Sequence, residues 1–138
     1  MSPENAIRLE HFYAHAPARV WRAITDPELH AQWWAPGDIR AEEGHTFELD
    51  MGPWGKQPCE VLEVQHERLL RYRFGTGTLD TIITFELTAE AGGTRLRFTQ
   101  EGFDLASPLG RSALDGMKSG WPGVLDGLGK LLDRTASA

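Results

Sequence analysis

Two spacings of apolar residues divide this chain. From Ile39 to Phe103 they recur at every second position, as in a strand with one face buried; on either side they recur at three- and four-residue steps, as on a helix. Ala6 to Tyr13 is a first strand of mixed alternation. Pro17 then opens a short helix, because a proline at the first helical position gives up an N–H that has no partner there anyway. Val20, Trp21 and Ile24 form its apolar face. Asp26-Pro27-Glu28 repeats the opening with an N-cap carboxylate and an acid in the first turn. This second helix carries Leu29, Trp33 and Trp34 and stops before Pro36-Gly37.

The two-residue period predicts strands over Thr46–Met51, Cys59–Gln65, Leu69–Phe74 and Leu79–Leu87, then one carrying Leu96, Phe98 and Gln100 after the Ala91-Gly92-Gly93 turn. Leu70, Tyr72 and Phe74 oppose Arg71 and Arg73; Thr81, Ile83, Phe85 and Leu87 oppose Asp80, Thr84 and Glu86. Such alternation describes an antiparallel sheet with one wet face, its arginines paired with Glu60, Glu63 and Glu86 across strands. From Leu109 to Leu132 helical spacing returns for about 25 residues. Pro122 should bend or interrupt this helix near Gly120, and the tail from Arg134 to Ala138 should fray. Gly116, Gly120, Gly123, Gly127 and Gly129 each cost roughly 1 kcal/mol there, which suggests close backbone approach or a helix stabilised by packing alone. The order is α+β: two short helices after the first strand, then a curved antiparallel sheet of six or seven strands wrapped on a long C-terminal helix. If that helix fits the concave face imperfectly, a cavity remains between them.

At 138 residues the chain is one domain, with its core over about residues 6–133. The start shows no basic and apolar leader and no run reaches membrane-spanning length, so the expected setting is cytoplasmic, without membrane insertion. The single Cys59 excludes an internal disulfide. A net charge of −6 argues against nucleic acid as a partner.

Several segments carry a resemblance. Ala16 to Leu29 followed by Gln32-Trp33-Trp34, then Gly93-Thr94-Arg95-Leu96, Glu101-Gly102-Phe103, and Gly120-Trp121 with Val124, Leu125 and Leu128, resemble in order the landmarks of one branch of the START-like, SRPBCC superfamily. That branch is named for the C-terminal domain of the activator of the heat-shock-protein-90 ATPase. The resemblance covers roughly Ile7 to Leu132, with a shorter middle near Trp54. It implies a helix-grip fold with an apolar cavity between the sheet and the last helix. Superfamily members bind lipids, sterols, polyketides and plant hormones, and some are cyclases or aromatase-like enzymes.

The inward positions predict the lining of such a cavity: Trp33, Trp34, Phe47, Leu49, Tyr72, Phe74, Ile83, Phe85, Phe98, Gln100, Met117 and Trp121. Tyr72, Thr81 and Gln100 are its obvious polar groups. Trp33 and Trp34, about 100° apart on a helix, should not both point inward, and one of them together with Trp54 would form an apolar patch suited to a homodimer. No catalytic residue, cofactor or metal is expected. His11 and His15 lie too far apart on a strand to chelate, and the other histidines read as solvated, with His45 placed to reach the cavity rim. Cys59 has no paired histidine nearby in sequence, and Glu101 turns inward only if Gly102 marks a bulge. The expected function is non-catalytic binding of a small apolar or amphipathic, lipid- or polyketide-like molecule. The alternatives are a polyketide cyclase or aromatase-like enzyme using the same cavity, and a chaperone-associated partner-binding module, which ranks last because the chain shows no counterpart of the activator's N-terminal domain.

Overall fold

A computed structural model describes residues 5–77 and 79–136. Its elements run β1 (Ala6–Tyr13), α1 (Pro17–Thr25), α2 (Pro27–Trp33), β2 (Thr46–Asp50), β3 (Lys56–Gln65), β4 (Leu69–Phe74), β5 (Thr81–Glu90), β6 (Gly93–Glu101) and α3 (Pro108–Ala136), with a 3-10 turn at Gly52–Trp54 between β2 and β3. The six strands form one antiparallel sheet in the order β1-β6-β5-β4-β3-β2. This is the α+β helix-grip arrangement, two short helices after β1 and a long C-terminal helix packed on the sheet.

The break between α1 and α2 is local chemistry. Asp26 lies in the extended region (φ −93°, ψ 121°), the backbone that a following proline favours. Its carboxylate accepts the Glu28 N–H at 2.9 Å, capping α2. Residues 37 and 49 form an isolated bridge that holds the segment after α2 against β2. Gly37 is required there, because a methyl group would collide with the Glu48 carbonyl oxygen and the Leu49 side chain.

Inward residues of adjacent strands meet in register: Tyr72 faces Ile83, Phe85 faces Phe98, and Ile83 faces Gln100. The outer face pairs Glu63 with Arg71, whose guanidinium donates to the Glu63 carboxylate at 2.7 Å. The outward register also sets Glu60 opposite Arg73 and Glu86 opposite Arg97.

Some boundaries differ from the pattern. β3 starts at Lys56 rather than Cys59, because Lys56, Gln57 and Pro58 pair with Asp50, Leu49 and Glu48. Leu79 lies in the turn before β5, where Asp80 takes a positive φ of 51°. The bulge is in β3, between Val61 and Glu63, and Glu101 keeps its register opposite Ala6 and Ile82. α3 is not interrupted at Pro122: Lys118, Ser119, Gly120 and Pro122 are exposed, so the missing bond falls on the wet side, while Trp121, Leu125 and Leu128 anchor the buried side. Arg134 and Thr135 are helical rather than frayed; the Thr135 hydroxyl donates to the Leu131 carbonyl and accepts from Arg19. Residues 137 and 138 lie outside the described ones.

Candidate functional site

The interior between the sheet and the helices is built from rings. Phe98 on β6 lies 4.1 Å, centroid to centroid, from Trp121 on α3, and Trp121 lies 4.6 Å from Trp34. Trp34 continues to Phe74 at 5.7 Å and to Trp33 at 6.2 Å. Phe85 touches Trp33, Phe98 and Tyr72, and Tyr72 touches Phe47. Of the twelve expected lining residues, ten are buried, including Leu49 and Ile83, while Trp34 and Met117 are half-buried.

Trp33 and Trp34 both reach this cluster, which the 100° spacing on a helix argues against. Trp34 is the C-cap of α2, at φ −139° and ψ −83°, so its backbone has left the helix and its ring turns back over Phe74 and Trp121. The Trp33 indole N–H donates to the Ala23 carbonyl at 2.8 Å, which fixes that ring between α1 and the sheet. The side chain of Trp54 lies outside the described residues; among these, the exposed large apolar side chains are Phe12 and Leu109.

Three strand polar groups, Tyr72, Thr81 and Gln100, are fully buried as their parity predicts. Gln100 joins three elements: its amide N–H₂ donates to the Thr81 hydroxyl at 3.0 Å and lies 3.4 Å from the Met117 sulfur, and its carbonyl accepts the Trp121 N–H at 2.9 Å. The Thr81 hydroxyl in turn donates to the Phe74 carbonyl. Tyr72 is different. Its hydroxyl is buried with no partner among the described residues, and burial holds the phenol well above its ordinary pKa, with Cys59 nearby adding to the shift.

His30 departs from the expectation that it is solvated. It sits on α2 with no exposed surface, against Trp33 at 5.0 Å and Trp34 at 5.4 Å. Helical spacing explains this: His30 stands three residues before Trp33, on the same face. Nδ1 lies 2.6 Å from the Ala35 carbonyl, so it carries the proton, and Nε2 is a bare acceptor with no partner among the described residues. Burial lowers its pKa to about 4, against the opposing effect of the Ala35 carbonyl. A third buried atom without a described partner, Asn5 Oδ1, lies just before β1.

The remaining candidates are accounted for locally. His15 binds Asp133 at 2.8 Å, and His11 stacks on Tyr13. His45 meets the Asp38 carbonyl at 2.7 Å and stacks on Phe47. Burial pushes the Cys59 thiol up to about 12, which keeps it neutral and unreactive. No described group of three His, Cys, Asp or Glu side chains is placed to hold a metal ion. Open surface grooves lie among the described residues. One, of about 340 Å³, runs along β2 and β3 past Phe47, Pro58 and Cys59; another, of about 420 Å³, lies by Pro17, His66 and Leu87. No described helix is long and apolar enough to cross a membrane.

Comparison with known proteins agrees with this architecture. Protein MLL2253 from Mesorhizobium loti is 36% identical, with a TM-score of 0.84 over 94% of this chain and 98% of that one. CalU16 from Micromonospora echinospora is 26% identical, with a TM-score of 0.75 over 92% of this chain and 75% of that one. DynU16, from the dynemicin biosynthetic locus, shares the fold at 24% identity and a TM-score of 0.81; the match covers 95% of this chain and 48% of that one. No curated protein matches. The family model for Activator of Hsp90 ATPase homolog 1-like protein matches residues 14–133. By this match and the 36% identity to MLL2253, the chain belongs to that family, within the START-like SRPBCC superfamily.

Proposed function

We infer that this protein binds a small apolar or amphipathic molecule, without catalysis, between the sheet and α3. The observation that carries the reading is the Tyr72 hydroxyl, fully buried among aromatic rings with no described partner. An unpaired buried hydroxyl costs roughly 1–3 kcal/mol, and a ligand oxygen would relieve that cost. The surrounding rings supply flat contact area, and the half-buried Trp34, held on non-helical backbone, is the side chain that yields to admit a guest. The twelve residues named from the sequence would line the site. A cytoplasmic setting fits the free, buried Cys59.

Native mass spectrometry of the protein purified from its own host tests this, with a bound mass of a few hundred daltons as the expected result, a size suited to pockets of roughly 300–1,000 Å³. A bare polypeptide mass, combined with no thermal shift from any of a panel of amphipathic aromatic compounds, would remove the reading. The cyclase or aromatase-like alternative is favoured by one observation, the neutral His30 whose Nε2 has no partner among the described residues and whose tautomer is set by Ala35, the posture of a general base. Turnover lost on His30→Gln while ligand is still bound would select that alternative.

A further inference from the structure

The two edges of the sheet differ. At β2 the segment after α2 closes the edge, through the bridge between residues 37 and 49 and the Asp50 N–H donated to the Pro36 carbonyl. At the opposite edge β1 runs for eight residues, with β6 on one side and no described strand on the other. Which of its peptide groups face outward follows from the β5–β6 turn. Glu90 and Gly93 flank a two-residue hairpin turn and form a hydrogen-bonded pair, so the odd-numbered residues of β6 bond to β5. The Leu87 N–H, donated the other way to the Arg68 carbonyl, agrees. The even-numbered residues of β6 therefore bond to Ile7, Leu9, His11 and Tyr13. Ala6, Arg8, Glu10 and Phe12 are left with N–H and C=O groups directed out of the sheet, and the last three are exposed.

Such an edge invites another strand, and parity with charge selects which. Two copies of β1 pairing antiparallel about a two-fold axis must oppose even-numbered residues with even-numbered ones. Two registers then use nearly the whole strand. The one centred on Glu10 sets Glu10 against Glu10, like charges directly opposed. The one centred on Leu9 sets Arg8 against Glu10 twice, and Leu9 against Leu9. It also sets Ala6 opposite Phe12, a large apolar side chain left exposed under the Arg95 guanidinium. The Phe12 carbonyl lies 3.0 Å from His11 Nδ1 and keeps a second lone pair for the N–H opposite.

We propose that β1 is a dimerisation edge, on which a second copy of this chain adds its own β1 in the register centred on Leu9, joining two six-stranded sheets into one. The proposal is independent of the ligand reading. Sedimentation of the whole chain over rising concentration should show reversible exchange between monomer and dimer. In hydrogen exchange the Arg8 and Glu10 amides should gain protection as the dimer forms, and the Leu9 amide, already bonded to β6, should change far less. Arg8→Glu leaves two acids on the edge and Glu10→Arg two bases, so each variant alone should dimerise at least about tenfold more weakly. An equimolar mixture of the two restores opposite charges at both positions and should dimerise like the parent. Glu10 also faces Arg97 and lies near Arg95 on β6; if its variant fails to fold, the exchange pattern of the unaltered chain decides. A monomer at every concentration would overturn the proposal, as would a dimer whose Arg8 and Glu10 amides stay unprotected or whose strength ignores both substitutions.

Discussion

At the scale of single residues, Tyr72 and His30 carry the most information because each is buried at a local disadvantage. Tyr72→Phe removes a buried hydroxyl that has no hydrogen-bond partner among the described residues. The unliganded variant should therefore be more stable than the parent by about 1 kcal/mol, read as a higher urea midpoint at unchanged slope. A lower midpoint would mean that the hydroxyl is satisfied in the free protein. His30 makes stability depend on pH in a defined direction. Its pKa is about 4 folded, against 6.5 for an ordinary histidine, so between these values the unfolded chain binds the extra proton. The contribution is complete above pH 6.5, declines as the pH falls, and is lost by about pH 4, a change of about 3 kcal/mol. Denaturant titrations from pH 8 to pH 4 should show this decline in the parent and its absence in His30→Gln, once the decline common to both is subtracted. The burial of Tyr72 was legible from parity alone. His30 was missed because a lone histidine on a short helix looks solvated until Trp33 and Trp34 are seen to close over it.

At the scale of elements, Gln100 ties β6 to β5 and α3. Gln100→Leu keeps the volume but strands the Trp121 N–H and leaves Thr81 without its donor. The expected loss is about 2 kcal/mol, with Trp121 fluorescence shifted as its hydrogen bond is lost. α3 gives the opposite case. A methyl group at Gly116 would meet open space, so this glycine serves no close approach, and Gly116→Ala should stabilise the protein by about 0.5–1 kcal/mol. Gly37→Ala should destabilise it by at least about 1 kcal/mol, because backbone rather than a flexible side chain blocks the methyl group. Both are checked by thermal unfolding. Element order and most strand limits followed from periodicity, whereas the early start of β3 and the unbroken α3 did not. Each depends on partners distant in sequence: β2 for Lys56–Pro58, and the core contacts of Trp121, Leu125 and Leu128 for the helix.

At the scale of the whole molecule, the rings of α2, the sheet and α3 form one connected interior, so a guest seated as proposed would touch most of the fold. Saturation with whichever amphipathic aromatic compound of the panel binds, at about a hundred times its dissociation constant, should add about 2.7 kcal/mol of stability. Scanning calorimetry should show a single transition that moves upward as a unit. A transition that does not move at saturation would overturn binding to the folded state.

Alternation and helical spacing act between near neighbours along the chain, and for that reason the strands, the helices and the buried identities of Tyr72, Thr81 and Gln100 could be read from the order of residues. Which buried groups find partners is a different kind of fact. Gln100 is satisfied by Trp121, 21 residues later, while Tyr72, on the same face of the same sheet, is left without a partner among the described residues. The turn of Trp34 back into the interior likewise depends on where Phe74 and Trp121 stand. Hydrogen bonds and ring contacts are short-ranged in space but not along the chain, so only the folded molecule could decide them.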